Sequence, residues 1–305
     1  MIKKIKKRKL NNKQRQGLMF LLFASPGLIG FLLLSVYPML RSFYLSFTNR
    51  TLLGYDETKF IYFKNYLRAF DDPYVWESLK ISFVFTIATL IITNVIGLLS
   101  ALLINTIKGK KSSFFRTAFY LPSILPAVSM VIMFSWIFNP ATGIINSILR
   151  SMGVSNPPLW FQGSKTALNA LILTSFWAFG AKMVIFFSAR QGISLDYYEA
   201  AEIDGATSFQ QFRFITLPLL QNVIFYNVLM SIVGGLQIFT EAYVLSGTGE
   251  GVPINFYVIN LYTHAFNSPY QLGYASALAW ILFFIIIVFA ATYYLINRRI
   301  KRKYE

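Results

Sequence analysis

Apolar residues run through this chain in long unbroken stretches, without the alternation of a half-buried strand or the single stripe of a surface helix. Six stretches reach the roughly 20 residues that a bilayer core demands of a helix: residues 18–40, 81–104, 118–138, 167–188, 219–240 and 273–296. The pattern predicts an all-α polytopic membrane protein with six transmembrane helices. A basic run, "KKIKKRK", precedes the first stretch and resembles the start of a signal peptide. The stretch from Leu18 to Leu40 is too long for the apolar core of such a peptide and lacks a convincing small-residue cleavage site, so it reads as a retained helix.

Composition strengthens this picture. Of 305 residues, 55% are hydrophobic and only 13% charged, and the mean hydropathy is +0.53, which leaves too little polar surface to cover a water-soluble domain. The net charge of +16 would suit nucleic acid, but the basic residues sit at the edges of apolar runs and not on a polar domain, so no nucleic-acid partner is expected. Their distribution carries orientation instead. Lys and Arg number eight before the first stretch, four between the second and third, two between the fourth and fifth, and five after the sixth. The other three connections hold five, two and none. The positive-inside rule then puts both termini, and the segment from Arg190 to Pro218, in the cytoplasm. The layout is a basic tail over residues 1–17, a membrane domain over 18–296 and a basic tail over 297–305. The outer segments run from Arg41 to Lys80, Asn139 to Thr166 and Glu241 to Leu272, each too short to form a domain.

Several chemistries are excluded at this level. With no cysteine and one histidine, the chain offers no disulfide, thiolate site or histidine cluster. The stretch "SGTGEG" resembles a phosphate loop only superficially, because no strand precedes it and no Gly-Lys-Ser/Thr closes it. "GKKSS" at Gly109 lacks the upstream glycine of a nucleotide loop. A secondary transporter would show paired intramembrane carboxylates for ion coupling, and the apolar stretches contain none apart from Glu241 at an edge. An intramembrane enzyme would need a histidine or paired-acid centre, which is also missing. His264, in "LYTHAF", has no carboxylate neighbour in sequence and reads as structural.

The segment from Tyr197 to Leu220, "YYEAAEIDGATSFQQFRFITLPLL", breaks the apolar pattern. Asp196 followed by Glu199 has the spacing of a capping box. Ala200 and Ala201 favour helix and present little bulk to an approaching surface. Gly205 supplies the dihedral that ends one helix, Thr207 or Ser208 caps a second, and Pro218 opens the fifth apolar stretch. Tyr197, Tyr198, Phe209 and Phe212 would then lie on a cytoplasmic surface rimmed by carboxylates, the composition of a docking site. Glu199 has two readings, a helix cap or a docking contact.

The spacing of Glu-Ala-Ala, Gly205, Ile215, Leu217 and Pro218 resembles the signature cytoplasmic loop of binding-protein-dependent ABC importer permeases. The fuller form looks like the carbohydrate-importing branch. "VYPMLRSFYLSFTN", "FKNYLRAFDDPYVWESLKISFVFT", "FRTAFYLPSILPAVSMVIMFSWIFNPATGIINSIL", Trp177 and "LQIFTEAYVLSGTGEG" extend the likeness over most of the chain, and favour the first, maltose-type large permease subunit without its extra helices and outer domain. Two departures stand out: Ile193-Ser194 replaces the usual isoleucine-proline, and "GTGEG" replaces the usual Gly-Gly-Pro.

The resemblance implies a type I ABC importer permease fold, with a core over about residues 79–296, in a bacterial cytoplasmic membrane. It implies a second homologous permease, an ATPase dimer, an extracytoplasmic sugar-binding protein and a saccharide cargo. ATP and Mg would belong to the ATPase, with no cofactor or catalytic residue on this chain. By motif, Glu199, Ala200, Ala201, Asp204 and Gly205 form the ATPase contact within the coupling loop 190–218. Matching further along places Trp177 and Lys182 on the fourth span, and Ser231, Gly235 and Gln237 on the fifth, near a mid-membrane sugar site. For Ser231 and Gln237 the alternative is helix-helix hydrogen bonding. A lysine inside a span costs a few kcal/mol unless paired or wet, so Lys182 either faces the cavity and neutralises an acidic saccharide, such as a uronate- or sialate-containing one, or snorkels to the interface. Thr93 and Asn94 on the second span read as packing contacts.

Overall fold

The computed structural model describes residues 11–54, 57–247 and 254–301. Most of "SGTGEG" and the outermost parts of both basic tails lie outside the described residues. Among the described residues there are helices and a single isolated bridge, Thr48 to Phe60, but no strand.

The first apolar stretch forms α1 (Asn12–Phe31), a π-helical turn over Leu32–Val36 and α2 (Tyr37–Ser46). Large apolar side chains of α1, including Phe20, Leu22 and Phe23, stay exposed, a surface suited to lipid and not to water. A short helix, α3 (Lys64–Asp71), leads into α4 (Pro73–Thr106). Asp72 starts α4 by accepting from the Tyr74 amide at 2.9 Å, with Pro73 at the first helical position, where its missing N–H is no loss. At 34 residues this helix is about 51 Å long, more than a bilayer core requires.

The third stretch does not form the single helix expected over 118–138. The chain runs through α5 (Lys110–Tyr120) and a 3-10 turn over Leu121–Ile124, then turns by 94° into α6 (Ala127–Ile137). Leu125-Pro126 is the corner: proline has no N–H for the helical ladder and pushes the residue before it toward extended backbone, and Leu125 has φ −65° and ψ 136°. After α7 (Ile144–Ser151) the fourth stretch is also broken. Helix α8 (Ala167–Thr174), a 3-10 turn over Ser175–Trp177 and α9 (Gly180–Gln191) together bend by 40°.

Two short helices follow, α10 (Asp196–Ile203) and α11 (Ser208–Gln211), then a π-helical turn over Phe212–Thr216. The fifth stretch comprises α12 (Leu217–Leu219), α13 (Gln221–Leu236) and α14 (Thr240–Gly247). The last helices among the described residues are α15 (Tyr257–Phe266) and α16 (Leu272–Lys301). Met19–Ser46, Pro73–Thr106, Gln221–Leu245 and Leu272–Arg299 are each long and apolar enough to cross a bilayer, and the two bent pairs raise the number to as many as six.

Helix α4 is central, packing against α9, α13 and α15. It contributes to all three buried clusters, through Val75 and Leu79, Phe85, and Ala101 and Ile104. Its inward stripe of Ser78, Ser82, Thr86 and Thr93 is buried, and Ser82, Thr86 and Thr93 each donate to the carbonyl four residues back. Their polar atoms are thus satisfied within the helix, and small side chains let neighbours approach closely. Gly235 shows how close: a Cβ there would lie 2.7 Å from Thr86 Oγ1.

Candidate functional site

A cavity of about 590 Å³ opens among α4, α9, α13, α14 and the corner between α5 and α6. The fold fills its walls from distant parts of the sequence. Lys182, Ser231, Gly235 and Gln237 all line it, together with Thr89, Thr93, Ser175 and Glu241.

Lys182 is the centre of its polar side. The Lys182 Nζ donates to Thr93 Oγ1 at 2.6 Å and to Ser231 Oγ. Ser231 also accepts from Asn94 Nδ2 at 3.0 Å and donates to the Asn227 carbonyl at 2.6 Å. The ammonium therefore ties α4, α9 and α13 together at one point. This is not a snorkelling geometry, because Lys182 reaches sideways to hydroxyls on neighbouring helices. Thr93 and Asn94, expected as packing residues, belong to this node. Their adjacency in an otherwise apolar run was the available signal.

Glu241 is the single acidic lining residue among the described ones. It sits in the first turn of α14, beyond the non-helical residues 237–239 that follow α13, whereas Lys182 is held by Thr93 and Ser231. Gln237 caps the end of α13 and is exposed, standing between this cavity and a smaller one of about 410 Å³ that also touches Met39 and Trp280. Trp177 lies outside the lining residues. Its ring meets Phe134 edge-on at 6.2 Å, and the aromatic residues lining the cavity are Phe85, Phe134, Phe161 and Phe239.

A separate constellation forms on the segment between α9 and α13. Here the expected capping box of Asp196 and Glu199 is absent: α10 begins after Leu195, with no side-chain cap, and the Asp196 amide instead donates to Ser194 Oγ at 3.3 Å. Both carboxylates fall in the first turn, where they favour the helix dipole without capping it. The capping box belongs to the next helix, where Thr207 and Gln210 bond each other's backbone amides. Between them Gly205, at φ 78°, ends α10 as expected: its amide donates to the Glu202 carbonyl and that of Ala206 to the Ala201 carbonyl, the paired bonds of a left-handed helix stop.

Glu199, Ala200, Asp204 and Gly205 point to the exterior, and Ala201 is half-buried. Ile203 is 88% exposed, Phe209 72% and Tyr197 58%, and the carboxylates of Asp196, Glu199, Glu202 and Asp204 on the same short segment are also exposed. Two of the four aromatics expected on the surface, Tyr198 and Phe212, are half-buried instead. Tyr198 Oη and Thr216 Oγ1 lie 2.8 Å apart, and the Arg190 guanidinium stacks 4.0 Å over the Tyr198 ring. Thr216 itself is buried. The segment is thereby fastened to the end of α9 and to the turn preceding α12.

Near the other end, Arg68 donates to Gln271 Oε1 at 2.9 Å and stacks 4.0 Å over Tyr274, whose hydroxyl donates to Asp72. His264 packs edge-on against the same tyrosine at 4.9 Å. Burial, with the Arg68 charge adding to it and Asp72 opposing it, holds the imidazole below its ordinary pKa.

The protein is thus a bent helical body with several candidate spans around a largely apolar cavity that carries one polar side. Residues 93–302 match the family described as binding-protein-dependent transport system inner membrane component, and the chain belongs to that family. It is 40% identical over 270 residues to the probable ABC transporter permease protein YesP of Bacillus subtilis (strain 168), covering 87% of this chain and 85% of that one. To the arabinooligosaccharides transport system permease protein AraP of the same organism it is 31% identical over 269 residues, covering 88% and 84%. A chain of a bacterial alginate ABC transporter, solved in complex with an alginate pentasaccharide-bound periplasmic protein, superposes with a TM-score of 0.83 at 19% identity, covering 96% of this chain and 99% of that one. The chain is thus a permease of the carbohydrate ABC transporter kind, a multi-pass protein of the cytoplasmic membrane.

Proposed function

We propose that this permease carries an acidic saccharide inward, and that Lys182 meets the cargo's carboxylate. The observation carrying this reading is the Lys182 ammonium in the cavity wall, bonded to the neutral hydroxyls of Thr93 and Ser231. Hydroxyl partners leave the ammonium's charge uncompensated, and the cavity's acidic residue lies elsewhere. A carboxylate at 4 Å would gain about 4 kcal/mol at an effective dielectric constant near 20. Ser231, Gly235 and Gln237 would supply hydrogen bonds and room for the sugar ring, while Phe134 and Phe161 offer apolar faces. Trp177 contributes only through its contact with Phe134. Competition uptake tests the reading: Lys182→Gln should lose acidic cargo selectively, and equal retention of acidic and neutral saccharides would sink it.

The same reading assigns the chain a heterodimer with a second permease, an ATPase dimer holding ATP and Mg, and an extracytoplasmic binding protein that delivers the cargo. The termini and the segment from Arg190 to Pro218 face the cytoplasm, as the positive charges favour. Glu199, Ala200, Ala201, Asp204 and Gly205 dock on the ATPase. The exposed apolar residues and exposed carboxylates on the same short segment support such docking. Closure of the ATPase would pull on α10, and the contacts of Tyr198 with Arg190 and Thr216 would pass that pull to α9 and α13. Those helices carry Lys182 and Ser231. A rigid-body shift between them would therefore open the node that binds cargo. Hydrolysis belongs to the partner chain.

A further inference from the structure

A groove of about 250 Å³ lies where the start of α13 meets the end of α16, away from the central cavity. Leu217, Pro218, Ile224 and Ile296 form its apolar wall, and Arg213, Gln221 and Asn297 its polar rim. Gln221 Nε2 donates to Asn297 Oδ1 at 2.9 Å, bridging the two helices at the rim. Arg213 is exposed. Its guanidinium lies 5.8 Å over the Phe214 ring and has no carboxylate partner among the described residues. Arg298 and Arg299, also exposed, follow Asn297 on α16.

The position of the groove along the helices is informative. Gln221 opens one candidate span and Arg299 closes another, so the groove sits at the ends of two spans, with Arg213, Leu217 and Pro218 before the first of them and Ile224 and Ile296 within the spans. A soluble anion would leave that wall wet, whereas an amphiphile with an anionic head satisfies both ends. We propose that this groove binds an anionic phospholipid, its phosphodiester against Arg213 and an acyl chain along Ile224 and Ile296. Guanidinium suits this role because it offers paired N–H donors to phosphate oxygens. Leu217 directly follows Thr216, so a lipid seated here would brace the same turn that fastens the coupling loop. The site does not depend on which cargo the central cavity carries.

The test is native mass spectrometry of the assembled transporter, purified in nonionic detergent and offered phosphatidylglycerol or phosphatidylcholine. Phosphatidylglycerol should be retained in preference, and Arg213→Gln should lower its retention about tenfold or more, the scale of a charge-assisted hydrogen bond, while Arg213→Lys keeps part of it. Ile296→Trp, which fills the wall and spares the arginine, should also expel the lipid, and serves if the first variant does not assemble. Equal retention by wild type and both variants would overturn the proposal. So would displacement of the bound species by inorganic phosphate alone, or cross-linking of Ile296→Cys to another chain of the transporter in place of lipid.

Discussion

Replacing Lys182 by glutamine removes one charge from the cavity while keeping a hydrogen-bonding amide near Thr93 and Ser231. The ammonium now makes two hydroxyl contacts, one of 2.6 Å to Thr93 and one to Ser231. A cargo carboxylate would add a charge-assisted bond of about 1.5–3 kcal/mol, whereas a neutral sugar hydroxyl would add about 0.5–1.5 kcal/mol. At 1.4 kcal/mol per factor of ten, the variant should weaken an acidic cargo about 10- to 100-fold and a neutral one by less than about tenfold. The assay is uptake into proteoliposomes containing the whole transporter and its binding protein, with acidic and neutral oligosaccharides competing. Lys182→Arg, which keeps the charge, should restore the preference for acid. A loss that is equal for both cargoes, or a failure of arginine to restore selectivity, would refute the electrostatic role and leave Lys182 as a strut between helices.

Tyr198→Phe deletes the hydroxyl bonded to Thr216 but keeps the ring beneath Arg190, so about 1 kcal/mol of fastening is lost; ATP hydrolysis should persist while transport per ATP falls, measured side by side in proteoliposomes. Because Glu199 caps nothing, Glu199→Gln should leave the melting temperature within a degree or so, by the small effect of exposed substitutions, while weakening co-purification of the ATPase. Gly205→Val forces a branched side chain into the left-handed region at a cost of about 1–2 kcal/mol, and should lower ATPase recovery. For His264 the sign is fixed by its lowered pKa: the unfolded chain binds the proton more readily, so stability present at neutral pH is lost as pH falls below about 6.5. His264→Gln should flatten the decline in melting temperature between pH 7 and pH 5.

The two halves of the segment from Arg190 to Pro218 show where sequence reasoning holds. Gly205 was legible because a helix stop at positive φ has few residue solutions, whereas the cap of the second helix was narrowed only to Thr207 or Ser208, and the structure selects Thr207. The spacing of Asp196 and Glu199 was misleading for the same reason of locality: it satisfies the capping pattern, but α10 begins one residue after Leu195 and both carboxylates fall inside its first turn. Where the helix begins decides whether an acidic side chain can reach an orphan amide, and the residue spacing alone does not set that start.

Apolar runs, the charges between them and the glycine and alanines of the loop are local properties, and these alone gave the membrane class, the expected orientation and the helical segment between the fourth and fifth stretches. Only the tertiary structure decided that the third stretch turns by 94° at Pro126, since a proline in an apolar run may kink a helix or end it, and its neighbours choose. Only the tertiary structure brought Lys182 to Thr93 and Ser231, which lie 89 and 49 residues away in sequence. An intramembrane charge is visible to anyone reading the chain, but its partners are not, because they are selected by packing small side chains of α4 against α9 and α13.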